Sequence, residues 1–188
     1  MTIRKHASDV EPPMIARAAI LAVSLFAAAP TVAMELTSSD VADGKPFDRK
    51  FVCADHGGAN ISPALSWSGV PANAKSLSLT IFDPDAGFVG YWHWVALDIP
   101  AAANGLAQGA GSGKAPLPPG TVQRDNDNGD ARYDGPCPPS GLHHYQITLY
   151  ALADAKPAVD PKATAKETGA WLSAHAIATA RITPVFSR

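Results

Sequence analysis

Apolar and polar positions alternate most clearly over Leu77–Ile99, where two runs of β-formers flank Asp83-Pro84-Asp85-Ala86-Gly87. Strand side chains point to opposite faces with period two. Leu77, Leu79 and Ile81 therefore share a face, and Asp83 is the next residue on it. In the second run Val95, Leu97 and Ile99 share a face led by His93, which places Trp92 and Trp94 opposite, against an expected second sheet. The same arrangement returns in His143–Leu152, where His143 leads the row Tyr145, Ile147, Leu149. Polar groups at the ends of buried rows are costly unless they pair or receive a ligand. Asp83, His93 and His143 are therefore the first candidates for a site.

Other elements are fewer and shorter. Glu35–Asp40, Phe51-Val52-Cys53 and Ile182–Phe186 are expected as short extended segments, and Pro63 confines Ser62–Trp67 to an edge or irregular run. Residues 101–139 lack periodicity and are dense in Gly, Pro, Asn and Asp, which predicts a long ordered excursion with Gly111-Ser112-Gly113 as its mobile point. Thr164-Ala165-Lys166-Glu167 matches a capping box. Ala170, Trp171, Ala174, Ile177 and Ala178 follow at helical spacing, predicting a helix over about 165–180 whose stripe faces the sheet. Several turn-bounded strands with one or two helices predict a mostly-β domain, sandwich-like or α+β.

Charge and composition narrow the function. The formal net charge is −2, with 17% charged and 46% hydrophobic residues, which suits one globular domain and lacks the basic footprint of a nucleic-acid binder. The N-terminus stands apart: Arg4, Lys5 and Arg17 precede the apolar run Ala18–Ala29, then Pro30-Thr31-Val32-Ala33. These are the parts of a secretory signal peptide, with cleavage expected after Ala33 and a mature domain over 34–188. The run is shorter than the ~20 residues of a spanning helix, so no stable membrane insertion is expected after cleavage. Met14 makes a tidier start than Met1, which leaves two candidate initiators. A periplasmic or secreted location favours a single bridge between Cys53 and Cys137, the alternative being two buried thiols.

Asp83-Pro84-Asp85-Ala86, Trp92-His93-Trp94-Val95 and Gly135-Pro136-Cys137-Pro138-Pro139-Ser140-Gly141-Leu142-His143-His144-Tyr145 together resemble the phosphatidylethanolamine-binding protein family, in its bacterial Raf-kinase-inhibitor-like branch. Asn60-Ile61-Ser62-Pro63-Ala64-Leu65-Ser66-Trp67 and Tyr133-Asp134-Gly135-Pro136 fit the same pattern. The resemblance spans nearly all of the mature chain and implies a β-sandwich-like fold with one small anion pocket. It carries Asp83, His93, Gly135, Pro136, His143 and Tyr145 into that pocket, and makes Asp85 a loop brace. Gly87 departs from the family's proline, Phe186 from a common tyrosine, and the C-terminal helix of mammalian members is missing.

The resulting expectation is an exported protein that binds a small anion or phosphorylated head group. A carboxylate beside an imidazole orients it and favours its protonated form, and two imidazoles offer N–H donors to oxygens. Binding is favoured over catalysis, with no cofactor or metal. Two alternatives stand beside it. One is a metal-dependent or other hydrolase built on the Asp/His/His set. The other is a protein-interaction or inhibitor module using the surface around the pocket, with a partner the residues do not name. His56, His144 and His175 are expected as ordinary polar residues.

Overall fold

Leu77, Leu79 and Ile81 do lie on one buried face, and they anchor the central strand of the larger sheet. In the computed structural model, which describes Met1 and residues 33–188, ten strands and one helix follow in order. They are β1 (Glu35–Thr37), β2 (Leu65–Ser68), β3 (Ser76–Asp83), β4 (Tyr91–Pro100), β5 (Gly105–Leu106), β6 (Val122–Arg124), β7 (Leu142–His144), β8 (Gln146–Leu152), α1 (Ala165–His175), β9 (Ala176–Ile182) and β10 (Val185–Ser187). The main sheet has the order β6-β4-β3-β8-β9, all antiparallel; β1-β2-β5 and β10-β7 form two smaller sheets. The mostly-β expectation holds. The leader expected over residues 1–33 falls, save for its end residues, outside the described residues.

One face of the main sheet packs Leu79, Ile81, Trp94, Ala96, Ile99, Tyr145, Ile147 and Leu149 against Leu36, Leu65 and Trp67 of the small sheet. The other face carries Val95, Leu97, Tyr150 and Leu152 under Ala165 and Leu172 of α1. β4 serves both cores by alternation over Trp94–Leu97, but it is not regular at its two ends. Its pairing with β3 slips between Ile81↔Trp94 and Phe82↔Trp92, leaving His93 as an extra residue, and again between Leu77↔Ile99 and Leu79↔Ala96 near Asp98, whose φ is +57°. Such bulges re-aim side chains. Hence Ile99 does not share a face with Val95 and Leu97, and the two tryptophans part company. Trp94 enters the core beneath the small sheet, while Trp92 packs under the helix.

The helix starts where its capping box predicts: Thr164 N–H donates to Glu167 Oε2 at 2.8 Å and Glu167 N–H to Thr164 Oγ1 at 3.2 Å. It ends earlier than expected. Ala176, Ala178, Ala180 and Ile182 alternate with the more exposed Ile177, Thr179 and Arg181, so this stretch is an edge strand paired with β8. The alanines fit period two as well as period 3.6, and pairing with β8 selects the strand. The buried helical stripe is Ala165, Thr168, Gly169 and Leu172, in place of one through Ala170, Trp171 and Ala174. Phe51–Cys53 is likewise not a strand: Arg49–Phe51 and Ala54–His56 are single 3-10 turns. Pro184 breaks the last extended run, separating β9 from β10. Gly111, expected to be mobile, is buried; its N–H donates to Ser62 Oγ at 2.9 Å and its carbonyl accepts from Tyr133 N–H at 2.9 Å.

Gly169 sits where α1 crosses Trp92, and a Cβ there would run into the indole ring. Helix propensity alone would make Gly169→Ala stabilising by about 1 kcal/mol. Overpacking against a ring costs about 1–3 kcal/mol. We therefore expect Gly169→Ala to lower stability by about 1 kcal/mol in urea titration; a more stable variant would show that the ring yields freely.

Candidate functional site

Asp83 ends β3, His93 occupies the bulge of β4, and His143 lies in β7, so three strand ends bring one carboxyl and two imidazoles together. All three are buried, at 2%, 4% and 8% exposure. His143 Nδ1–H donates to Asp83 Oδ2 at 2.6 Å. His93 Nε2 faces the same oxygen at 3.9 Å, while its Nδ1–H donates to the Asp134 carbonyl at 2.9 Å. Asp134 N–H returns a bond to the His93 carbonyl at 2.9 Å, so this loop is latched to β4 from both sides. Asp83 Oδ1 accepts the Asp85 N–H at 2.9 Å, which closes the turn after β3. Burial opposes ionisation of Asp83, yet the His93 and His143 imidazoles and the Asp85 N–H outweigh it and hold the carboxyl below its ordinary range.

These side chains line one cavity of about 600 Å³, together with Asn60, Tyr91, Arg132, Asp134 and the Cys53–Cys137 pair. Burial, with a smaller push from Asp130, raises Asp134 above the usual carboxylate range against the pull of His93, Arg132 and Asn60. Tyr91 is pushed up to about 12 by burial and by Asp134, Asp127 and Asp130, and so stays a phenol. Arg132, the one arginine or lysine among the described residues that line the cavity, leans on Asp130 at 3.1 Å.

Not every expected residue lines the hollow. Gly135 and Pro136 stand one layer behind it. A Cβ at Gly135 would strike the Phe51 carbonyl, and its N–H donates to Asn60 Oδ1 at 2.6 Å. The Pro136 carbonyl accepts Cys53 N–H at 3.1 Å. The wall itself is Asp134, Cys137, Pro138 and Pro139. Tyr145 is fully buried, its ring edge-on to His93 at 5.2 Å, and its hydroxyl has no hydrogen-bond partner among the described residues. It supports His93 from below; burial, Asp83 and Asp85 push its pKa far above the ordinary tyrosine value, so it stays a phenol. Asp85 is a brace as expected: Oδ2 accepts both the N–H and the Nδ1–H of His144 at 2.8 Å. His175 stacks on Trp171 at 4.1 Å. Asn60 and Asp134 were reachable only through the Asn60–Trp67 and Tyr133–Pro136 segments; Tyr91 and Arg132 lie outside both, and no periodicity marks them as cavity residues.

Sulfur joins two of these segments. Cys53 and Cys137 form a disulfide with Cα atoms 5.5 Å apart, across a sequence separation of 84. In the chain-entropy model a loop of that length contributes about 4 kcal/mol.

A family model described as phosphatidylethanolamine-binding protein matches residues 37–187. The chain belongs to the phosphatidylethanolamine-binding protein family. Among its relatives, UPF0098 protein YbcL of Escherichia coli (strain K12) is 41% identical over 173 residues, covering 89% of this chain and 94% of the relative. UPF0098 protein YbhB of the same organism is 41% identical over 158 residues, covering 82% and 100%. The crystal structure of Escherichia coli YbcL superposes with a TM-score of 0.78 at 40% identity, covering 84% of this chain and 99% of that one. CT736 of Chlamydia trachomatis superposes with a TM-score of 0.70 at 32% identity, covering 83% and 98%.

The two shifted carboxyls give opposite pH signatures. Asp83 is depressed on folding, so its contribution is present above the unfolded carboxylate value near ~4 and is lost as pH falls through the folded one. Asp134 is raised, so it costs stability at neutral pH and ceases to do so in acid. Asp83→Asn should lose about 2 kcal/mol at pH 7 and flatten the acid limb of the stability curve. Asp134→Asn should leave neutral stability equal or higher. Urea titrations from pH 3 to 7 read both signs.

Proposed function

We propose that the cavity binds a small oxyanion, of the phosphate head-group or carboxylate type, and that the chain is a binding protein and not an enzyme. The observation that carries this reading is the sharing of Asp83 Oδ2 between two imidazoles, 2.6 Å from His143 Nδ1 and 3.9 Å from His93 Nε2. Both Nδ1 atoms are committed, one to Asp83 and one to the Asp134 carbonyl. Each ring can then donate through Nε2 only when it is an imidazolium. An arriving anion favours that form. Binding should therefore take up protons, with Arg132 adding one permanent charge at the rim. The metal-hydrolase reading is weaker, because among the described residues Asp83, His93 and His143 do not bring three ligand atoms close enough together to hold one ion.

Calorimetry with inorganic phosphate and with acetate tests the proposal. Affinity should tighten as pH is lowered from 8 to 6, and His93→Ala or His143→Ala should each weaken it by about tenfold or more, the equivalent of one charged hydrogen bond. Affinity that is flat with pH and indifferent to both histidines would sink the reading.

The same proposal places the protein outside the cytoplasm, after removal of residues 1–33. Support comes from the disulfide, which suits an oxidising compartment. It comes also from LppC of Mycobacterium tuberculosis, named as a candidate lipoprotein and 35% identical over 181 residues. Among the described residues no helix is long and apolar enough to cross a membrane. N-terminal sequencing of the exported protein should begin at Met34; a chain beginning at Met1 or Met14 would refute the cleavage.

A further inference from the structure

His56 was expected to be an ordinary polar residue, but its position beside the disulfide is specific. Cys53-Ala54-Asp55-His56 forms a 3-10 turn closed by His56 N–H donating to the Cys53 carbonyl at 3.2 Å. In that geometry side chains three residues apart eclipse one another. A ring nitrogen of His56 and the sulfurs of Cys53 and Cys137 consequently lie within 4.8 Å of one another. Nδ1 is also buried and has no hydrogen-bond partner among the described residues, which is rare for a buried ring nitrogen. The Phe186 ring covers the imidazole on one side, with centroids 6.1 Å apart, and both sulfur-bearing residues line the open cavity. In the disulfide state the neighbouring sulfurs offer the imidazole neither a proton nor a strong lone pair.

We propose that the Cys53–Cys137 bridge and His56 form a redox-gated site for a soft cation, Cu(I) or Zn(II). A dithiol reductant exchanges with the bridge through a mixed disulfide: its two thiols become one disulfide, and the two electrons and two protons pass to Cys53 and Cys137. The resulting thiols bind the cation as thiolates, so two protons are released per ion, and His56 Nδ1 supplies the third ligand. Two thiolates and an imidazole select soft and borderline cations over magnesium or calcium. For zinc, water from the cavity takes the fourth position. The Cys-x-x-His spacing on one turn fixes two ligands locally, and Cys137 arrives from the far segment at a Cα separation already short. The site is separate from Asp83, His93 and His143, and the oxidised protein does not present it. Reduction thus converts a structural cross-link into a cation site beside the cavity.

The test uses the full mature chain, oxidised or reduced with a phosphine that does not itself supply thiols. Chelator competition is run separately with Zn(II) and Cu(I), and near-UV circular dichroism follows the fold. The reduced protein should bind one equivalent of at least one of the two cations and gain thermal stability on doing so, while the oxidised protein binds neither. His56→Ala, folded through its intact disulfide, should lose about tenfold or more in affinity once reduced, since even outer-shell losses cost 10–100-fold. Equal affinity in His56→Ala would overturn the proposal, because thiols alone would then explain capture. It would also fail if the reduced chain unfolds and neither cation restores the near-UV signal, or if the oxidised form binds as tightly.

Discussion

A carboxylate taken out of water must be compensated within a few ångströms, and in this protein the compensation for Asp83 sets the geometry of a whole end of the sandwich. The compensating groups come from the backbone of the following turn, from His143 and from His93. Each reaches Asp83 only if its own strand ends at the right level. An uncompensated buried charge costs several kcal/mol, comparable to a large share of a domain's net stability. The pair therefore acts as a register pin: β7 cannot slide along its neighbours without stranding the carboxylate. The polar requirement and the apolar rows behind it select the same alignment, a mutual consistency expected of sequences with one low-energy structure.

The second requirement is that His93 face the cavity while Trp94 faces the core. A regular strand would send neighbours to opposite sides of the sheet. The extra residue in β4 resolves this, and Tyr91 and Tyr145 then hold the imidazole, with ring centroids 4.8 Å and 5.2 Å away. The bulge thus converts an element of the sheet into an element of the site. Tyr145, though no cavity wall, fixes the ring from beneath.

Much of this was legible along the chain. The rows Leu77-Leu79-Ile81 and Ile147-Leu149 pointed to the core, and their leading residues Asp83 and His143 do meet. The capping box at Thr164 placed the helix start correctly, since its chemistry is local. What escaped notice was non-local. Both bulges depend on cross-strand register, which one chain segment cannot reveal, so the faces of Trp92 and Ile99 came out reversed. Ala176–Ile182 satisfied two periodicities, and only its pairing with β8 decides between them. Asn60 and Asp134 enter the cavity from loops, where alternation carries no information, and Tyr91 enters from the first residue of β4, beyond the bulge.

The irregularity of β4 reaches beyond the site. Because Trp94, Ala96 and Ile99 serve one core while Val95 and Leu97 serve the other, a single beam carries both floors of the building. Neither layer can loosen without the beam moving, and the beam cannot move without both giving way. The domain has no seam along which half of it could come apart first, so its melting should be all-or-none.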